Sequence, residues 1–376
     1  MSVQQDEILS QFLKDVDKVQ LEAAKYSVET IEQVALRYLR ARRFDMAKSV
    51  ILLNECYGKM VELGAADAAQ KNGDDTALCD VEALKNFYPH TMYGYDRLGR
   101  PVLFEHTGGM NPNAIIHMTS KRMLIDYHWW TMEKVLDDKF KEAVQIKMAK
   151  EGISDPKEVV LQNFGTCAIL DMKGFGMIHV CQKLMDHCKT LILLDNVCYP
   201  ELLGKMFVIN ASWLVIQTWG LVKGWLDIRT QEKISIMGSG PDMIAKLLEH
   251  IPPESLPKEY GGTAPDLYHK KPNTDFITIS RGGNFKKAFT VGANKGCLID
   301  SYAFEGDVDI LVEVSTGTSS ETKQLIKQTI TIQNKELRER LLLKYPPNTL
   351  QQTFHVTWSS PSRFHTRTLV YTFTEI

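Results

Sequence analysis

Three short motifs contain residue types that could perform chemistry. Gly174 and Gly176 follow an apolar run, as in a dinucleotide-binding loop, but position 179 is His179 and the third glycine is missing. Ser239 in MGSGPD lacks the two-sided spacing of a nucleophile elbow. His179 and His187 lie eight residues apart without the glutamate pattern of a zinc protease. No motif completes a catalytic or metal-binding set, so the sequence predicts a non-enzymatic protein without cofactor or metal.

A fourth stretch, residues 206–226, offers contact with lipid. It holds three tryptophans and a single charge, Lys223, but also Asn210 and two glycines. A membrane span needs about 20 predominantly apolar residues. Residues 207–209 form a short, partly β-branched run that predicts a buried strand ended by Asn210. The remaining residues, 211–226, would form a helix of roughly 24 Å, too short for a hydrocarbon core of about 30 Å.

This predicted helix has no wide polar face. Its apolar side chains spread around nearly the whole circumference: Trp213, Leu214, Val215, Ile216, Trp219, Leu221 and Val222. Such a helix is apolar on both sides, and tryptophan also suits a membrane interface. Two interpretations remain open: a core helix between sheet and surface, or a helix that contacts lipid.

Composition limits the class of protein. The chain has 376 residues, 44% hydrophobic and 24% charged, which indicates a globular protein of two or three domains. A formal net charge of -2 gives no support for a nucleic-acid partner. The seven scattered cysteines form no CxxC pair, which favours reduced thiols. The N-terminus MSVQQDEILSQFLKDVDK has early acids and no apolar run, so we expect no secretory signal and a cytosolic location.

The first two regions of the chain differ in the periodicity of their apolar residues. Apolar spacings of three and four predict helices from residue 4 to about 63, followed by a loop at 64–75. Beyond about residue 87, strands in RPVLFEH, CAILDMKG, KMFVIN and KISIMGS alternate with helical segments. These segments are residues 114–137, 177–194 and 241–250. The alternation predicts a mostly parallel sheet covered by helices.

The third region follows a proline- and glycine-rich break at 251–262. From residue 276 onward, alternating runs such as DFITIS, VDILVEV and TLVYTFTEI predict antiparallel strands in a small β-sandwich. The segment KELRERLLLKY, residues 335–345, is interpreted as one or two helical turns inserted within it.

Several long segments resemble the CRAL-TRIO lipid-transfer family, in its secretory phosphatidylinositol-transfer branch. They are ALRYLRARRFDMAKS, FYPHTMYGYDRLGRPVLFE, YPELLGKMFVINASW, LDIRTQEKISIMGS and LPKEYGG, in the family's order across residues 1–262. The C-terminal part is similar, more weakly, to the GOLD domain of tocopherol-associated proteins, through its strand pattern and ISRGG.

This resemblance implies an α/β fold in three parts. They are an N-terminal helical subdomain (1–75), a CRAL-TRIO lipid-binding domain with a mostly parallel sheet (76–262), and, after a linker (263–274), a GOLD-like β-sandwich (275–376). It also implies that 211–226 contain a mobile gate helix over a lipid cavity. The gate and membrane-contact residues are then Trp213, Leu214, Ile216, Trp219, Leu221 and Val222.

By the same resemblance, a phosphoinositol headgroup site carries over in full onto Arg42, Asp96, Glu201, Thr230 and Lys233. Arg42 and Lys233 would neutralise the phosphate, Asp96 and Glu201 would accept hydrogen bonds from inositol hydroxyls, and Thr230 would donate to an oxygen. Glu201 and Lys233 are expected to pair when no lipid is bound.

A second headgroup set departs from the family pattern. Two tyrosines, a serine and a threonine hold choline in phosphatidylcholine-binding members, whereas the aligned positions here are Met92, Thr131, Thr166 and Ala168. The aromatic pair that would hold a quaternary ammonium is missing. The expected second ligand is therefore less polar than phosphatidylcholine: a sterol, squalene-like or tocopherol-like lipid.

The resemblance implies a cytosolic protein that exchanges phosphatidylinositol and this second lipid between membranes. It would contact membranes transiently, with the Golgi or endosomes as candidates, and its GOLD-like domain would bind a protein partner or a target membrane. The alternative is a GTPase-regulatory or scaffold protein that uses the same fold without lipid exchange.

Overall fold

A computed structural model describes residues 2–70, 84–155, 159, 164–268, 273–304, 306–316, 322–330 and 339–376. These residues divide into two units. Within the described ranges, the first unit holds residues up to 70, 88–112 and 121–268. The second holds 84–87, 113–120 and the described residues from 273 onward.

Five helices form the N-terminal region: Val3–Asp15, Lys18–Ala23, Ile31–Ala41, Met46–Glu62 and Ala65–Gln70. Side chains at their N-termini stop the chain from fraying, since Ser2 and Thr30 each form a capping box with a glutamine three residues later. The helical prediction up to about residue 63 is confirmed. The predicted loop at 64–75 is wrong over Ala65–Gln70, because alanine is the strongest helix former and Ala65 and Ala68 are buried in the helical core. Residues 71–75 lie outside the described residues.

One five-stranded sheet forms the centre of the first unit. Its strands are β1 His90–Tyr95, β2 Pro101–Glu105, β3 Thr166–Asp171, β4 Leu203–Ile209 and β5 Ile234–Ile236, in the order β1-β2-β3-β4-β5. The pair β1–β2 is antiparallel, and the other neighbours are parallel. The mostly parallel sheet is therefore confirmed. Strand β4 ends at Ile209, and Asn210 takes a left-handed conformation with φ of 54°.

The two faces of this sheet differ in how completely they are covered. Phe104, Ile169 and Phe207 lie on one face and are fully buried in a core that includes Leu247. The opposite face carries one row of paired residues from all five strands: Met92, Leu103, Ala168, Met206 and Ile234. Only Ala168 in this row is fully covered. Because β3 and β4 are central strands, half-buried side chains on them show that this face borders open space.

The helices around the sheet differ in detail from the predicted segments. They are Pro112–Met118, Lys121–Trp130, Leu136–Glu151, Gln182–Cys198, Trp213–Val222, Ile228–Glu232 and Pro241–His250. The predicted helix at 114–137 breaks after Met118, resumes as Lys121–Trp130 and continues into Leu136–Glu151 through a π-helical segment, Thr131–Val135. The segment predicted at 177–194 begins as a 3-10 turn, Met177–Val180. The helix at 241–250 is confirmed.

Two four-stranded antiparallel sheets form the second unit. Their strands are β6 Thr274–Ile279, β7 Asn284–Val291, β8 Lys295–Ala303, β9 Val308–Thr316, β10 Lys323–Ile330, β11 Glu339–Asn348, β12 Gln352–Ser359 and β13 Arg367–Glu375. The strand orders are β10-β9-β12-β7 in one sheet and β11-β8-β13-β6 in the other. Phe289 and Phe373 come from different sheets, and their rings stack 4.1 Å apart. The predicted β-sandwich is confirmed.

The helical interpretation of residues 335–345 is wrong for residues 339–345. They belong to β11, which pairs with β8, while 335–338 lie outside the described residues. Leu341, Leu343 and Tyr345 alternate along the strand and pack against the sandwich core. This period of two, rather than the local helix propensity of leucine and lysine, determines the structure.

Candidate functional site

The Glu201 carboxylate lies between two cations just before the amino ends of β4 and β5. Its Oε1 is 2.8 Å from Arg229 Nε, and its Oε2 is 3.2 Å from Lys233 Nζ. Glu201 has a left-handed backbone with φ of 61°, in the turn that leads into β4. Glu201 and Lys233 are paired as expected. The sequence reasoning missed Arg229, although its spacing of four from Lys233 places both on one side of the short Ile228–Glu232 helix.

Thr230 serves as part of the N-terminal cap of this helix. Its Oγ1 donates to Asp227 Oδ2 at 2.6 Å, and its backbone N–H donates to Asp227 Oδ1 at 2.9 Å. Its neighbour Arg229 contacts Glu201. Thr230 thus lies beside the Glu201 ion pairs, with its hydroxyl proton donated to the cap.

Arg42 lies at the end of the Ile31–Ala41 helix. Arg43 and Phe44 both have positive φ, and the Phe44 N–H donates to the Leu39 carbonyl at 2.7 Å, so the turn is tightly closed. The Arg42 guanidinium donates to the Ala41 carbonyl at 3.2 Å. Within the described ranges, no carboxylate forms an ion pair with Arg42 and no hydrogen bond joins it to Glu201 or Lys233. It is a half-buried cation that can accept an anionic partner.

Asp96 has a structural function in the β1–β2 turn. It is only 4% exposed. Its Oδ1 accepts from the backbone N–H groups of Leu98 and Arg100, both at 2.9 Å, and its Oδ2 accepts from Arg100 Nε at 2.7 Å. Arg100 in turn packs against Gly204 of β4, where an added Cβ would lie 2.1 Å from the guanidinium. Asp96 is therefore connected to the region of Glu201 only indirectly, because it binds Arg100 and Arg100 contacts Gly204.

The structure brings three of the four second-ligand residues onto one sheet face. Met92 and Ala168 belong to the half-buried row, and Thr166 lies two residues before Ala168 on the same side of β3. Thr166 Oγ1 donates to the Leu202 carbonyl at 3.3 Å. Thr131 lies at the start of the π-helical segment, where its hydroxyl donates to the Tyr127 carbonyl at 2.9 Å. Both threonine hydroxyl protons are thus donated to backbone.

The Trp213–Val222 helix has apolar side chains on its inner and its outer side. Trp213, Ile216 and Leu221 are 73%, 55% and 61% exposed. Val215 is buried, and the other three predicted gate residues are half-buried: Leu214, Trp219 and Val222. Among the described residues, no helix has both the length and the apolar character that crossing a bilayer requires. The helix thus presents a mixed surface in which Trp213, rather than Trp219, points outward.

The segment after this helix is anchored to its neighbours. Asn196 donates to the Trp225 carbonyl at 2.7 Å, and Lys189 Nζ lies 5.8 Å from the centre of the Trp225 ring. Gly220 and Gly224 have no other group within 4 Å of an added Cβ, so both face open space. The helix is therefore held firmly at its C-terminal end and has room around its glycines.

Comparison with known proteins concerns the region that contains all of these features except Arg42. Residues 86–262 match the family model described as CRAL/TRIO domain. The crystal structure of Sfh5 has the same fold, with a TM-score of 0.50 at 16% identity over 71% of this chain and 92% of that chain.

Curated relatives of the chain include plant and fungal proteins. The phosphatidylinositol/phosphatidylcholine transfer protein SFH9 of Arabidopsis thaliana is 32% identical over 227 residues, which are 60% of this chain and 36% of that protein. Sec14 cytosolic factor of Schizosaccharomyces pombe is 28% identical over 249 residues, 66% of this chain and 80% of that protein. The chain spans little more than a third of the plant relatives' length. The resemblance to the CRAL-TRIO family is thus confirmed for the α/β region.

Proposed function

We propose that this chain is a non-enzymatic lipid-transfer protein that works from the cytosol. It would exchange phosphatidylinositol and a second, less polar lipid between membranes. The observation that carries this proposal is the half-buried apolar row across the sheet, with paired charges at its amino edge. The names of its relatives include phosphatidylinositol/phosphatidylcholine transfer and a cytosolic factor, which supports phosphatidylinositol transfer from the cytosol.

The paired charges suit a phosphate that leaves water. An unpaired buried phosphate would be strongly unfavourable. Glu201 binds both Lys233 and Arg229, and each cation would turn to a phosphate oxygen when a headgroup enters. Arg42 adds a third cation. Glu201 then accepts inositol hydroxyls, with Thr230 as a further hydroxyl at the site and Asp96 positioning Arg100 behind it.

The class of the second ligand follows from the four residues that are predicted to bind it. Met92 and Ala168 are apolar, and the hydroxyl protons of Thr131 and Thr166 are donated to backbone carbonyls. These four residues offer no aromatic cradle for choline. We therefore propose a sterol, squalene-like or tocopherol-like lipid, and we expect phosphatidylcholine to be transferred poorly.

The Trp213–Val222 helix is proposed to be the gate. Its outer apolar residues Trp213, Ile216 and Leu221 would enter the membrane interface, while its inner residues contact lipid chains. The C-terminal sandwich is proposed to be GOLD-like and to bind a protein partner or a target membrane such as the Golgi or endosomes.

Two measurements test this function. Mass spectrometry of lipids that copurify with the protein should find phosphatidylinositol, and labelled phosphatidylinositol should move between vesicles at least tenfold faster than labelled phosphatidylcholine. Equal rates for the two lipids would contradict the proposed second site. Lipid-free preparations that transfer neither lipid would favour the scaffold function instead.

A further inference from the structure

Two loops of the second unit are joined at one end of the β-sandwich. The first loop, residues 280–283, connects β6 to β7 and contains most of the ISRGG motif. The second loop, residues 360–366, connects β12 to β13. Two backbone hydrogen bonds of 2.8 and 3.0 Å join the loops, and the shorter one runs from the Gly282 N–H to the Ser362 carbonyl. The two loops therefore form one surface, which we name the sandwich tip.

Hydrogen bonds within the second loop fix its backbone. The Ser362 hydroxyl oxygen accepts from the backbone N–H groups of Phe364 and His365, both at 3.2 Å. The hydroxyl of the buried Ser360 lies 3.2 Å from the Ser362 carbonyl and 3.3 Å from the His365 carbonyl. A loop that is closed in this way loses little conformational freedom when it meets a partner.

Phe364 lies at the sandwich tip without apolar cover. It is 78% exposed, the largest value for a large apolar residue within the described ranges. No aromatic ring in the described part of the chain contacts it. Single exposed apolar residues are common on protein surfaces, so exposure alone does not indicate a function. A phenylalanine on a fixed loop can nevertheless act as an apolar anchor if its surroundings fit a partner.

The surroundings of this anchor are positively charged. Arg281 and Arg363 are exposed, and among the described residues neither side chain forms an ion pair or a hydrogen bond. Residues 280–283 and 360–366 contain no acidic residue. Asp307, beside the tip, is half-buried, and its carbonyl accepts from Arg367 Nε at 3.0 Å. The two arginines are therefore available to an anionic partner.

An exposed phenylalanine between two unpaired arginines fits an anionic membrane better than a protein. A stable protein interface buries about 800 Å² on each partner around an apolar core, whereas the residues beside Phe364 are arginine, serine, threonine and histidine. A bilayer needs no shaped apolar surface, because its interface receives single aromatic side chains. Acidic headgroups also attract nearby arginines, each by roughly fivefold in affinity.

We propose that the sandwich tip inserts Phe364 into anionic membranes while Arg281 and Arg363 bind the headgroups of acidic phospholipids. This inference rests on the proposed function, which gives the sandwich either a protein partner or a target membrane, and it selects the membrane. One aromatic ring and two cations provide weak binding, so the contact is reversible. It would direct lipid exchange to negatively charged membranes without taking part in the exchange itself.

Vesicle binding by the full-length protein tests this contact. Affinities are measured by flotation with vesicles of phosphatidylcholine alone and with vesicles of equal parts phosphatidylserine and phosphatidylcholine, and their ratio is the anionic preference. Phe364→Ser should bind the anionic vesicles at least tenfold more weakly than the parent, because burial of the ring is lost. The double variant Arg281→Ala/Arg363→Ala should lower the anionic preference at least tenfold, because each arginine contributes roughly fivefold.

Control variants separate the tip from total charge and total apolar surface. Lys323 and Lys327 are exposed on β10, at the edge of its sheet, so Lys323→Ala/Lys327→Ala removes the same charge elsewhere. Leu350 is 56% exposed and precedes β12, while the tip follows that strand. Both Leu350→Ser and the lysine pair should keep the anionic preference within about twofold of the parent. Phe364→Leu remains apolar and should retain most of the affinity. Thermal melts establish that each variant is folded.

Three results would overturn the proposal. Unchanged affinity of folded Phe364→Ser for anionic vesicles would show that the ring stays outside the membrane. If the arginine variant still lost its preference, the tip would instead suit an acidic protein partner. An equal loss of preference in the lysine control would assign it to total charge, and a parent without anionic preference would leave no role for the arginines.

Phosphatidylinositol transfer between phosphatidylcholine vesicles is measured on the same variants. The tip variants should transfer at the parent rate, because the proposed gate and headgroup site are intact. A parent that transfers no phosphatidylinositol would contradict the proposed function, while the anionic preference still reports on the sandwich tip.

Discussion

At the scale of single residues, one carboxylate holds the proposed phosphate-binding cations in place. Lys233 is bound to Glu201 at 3.2 Å, and both side chains are largely shielded from water. Lys233→Ala should lower phosphatidylinositol transfer at least tenfold, because a charge-assisted bond to phosphate contributes about 1.5 to 3 kcal/mol. The fold should persist, since Arg229 still pairs with Glu201. Vesicle transfer and a thermal melt on the same sample measure both effects.

Lys246→Ala is the matched control for that substitution. Lys246 forms an exposed ion pair with Glu249 on the Pro241–His250 helix, and such pairs contribute little. It should leave transfer unchanged. Parent-like transfer by Lys233→Ala, with both variants folded, would remove Lys233 from the site.

Glu133 provides a pH-dependent test within the same unit. Burial raises the pKa of Glu133 from 4.5 to about 6, although the Tyr199 hydroxyl donates to it at 2.7 Å. The folded state therefore binds this proton more tightly than the unfolded chain, and stability falls as pH rises from 4.5 through 6. Glu133→Gln is neutral at both pH values. Its free energy of unfolding, relative to that of the parent, should therefore be about 1 to 2 kcal/mol higher at pH 7.5 than at pH 4.5. Urea unfolding at both pH values measures this gain, and an equal difference at both would contradict the assignment.

At the scale of elements, patterns with a clear period were predictable and contacts between distant segments were not. Residues 207–209 and Asn210 gave the end of β4 correctly, because a short β-branched run and a turn-forming residue act locally. Apolar character all around the Trp213–Val222 helix could not show which side faces out. That depends on its neighbours in space, and Trp219 is half-buried while Trp213 is exposed.

This difference gives a paired prediction for the proposed gate. Trp213→Glu should cut vesicle binding and exchange severalfold with little change in melting temperature, because the glutamate stays in water until the helix meets hydrocarbon. Trp219→Glu places the charge on the inner side and should also lower thermal stability, since partly buried unpaired charges are among the damaging substitutions. Vesicle flotation and thermal melts separate the two. Undiminished membrane binding by a folded Trp213→Glu protein would exclude the contact.

In the candidate site, too, contacts between distant segments could not be predicted from the sequence. The resemblance placed Glu201 and Lys233 together, and the structure pairs them. It could not reveal Arg229 as a second partner of Glu201, or the use of both Asp96 oxygens within the β1–β2 turn. The hydrogen bonds of Tyr88 with Glu105 and of His90 with Tyr127 have no sequence signature, because they form only through strand pairing and helix packing.

At the scale of the whole molecule, chain order and structural units do not coincide. Residues 113–120 belong to the second unit, together with the β-sandwich, although they fall within the stretch that matches the CRAL/TRIO domain. The Pro112–Met118 helix has seven residues, too few to be stable alone. Its Ala114 and Met118 are fully buried, and the His117 ring lies 5.6 Å from the Phe276 ring of β6. Its order should therefore depend on the sandwich.

Hydrogen exchange tests this dependence directly. In a chain that ends at residue 268, backbone amides of 113–118 should exchange at least tenfold faster than in the full chain. The reason is that opening the helix then no longer requires breaking its contacts with β6. Amides of β3, Thr166–Asp171, lie in the centre of the other unit and should keep their protection, which shows that the shortened chain is folded. Mass spectrometry of peptic fragments gives both rates. Unchanged exchange in 113–118 beside a protected β3 would show that the helix does not depend on the sandwich.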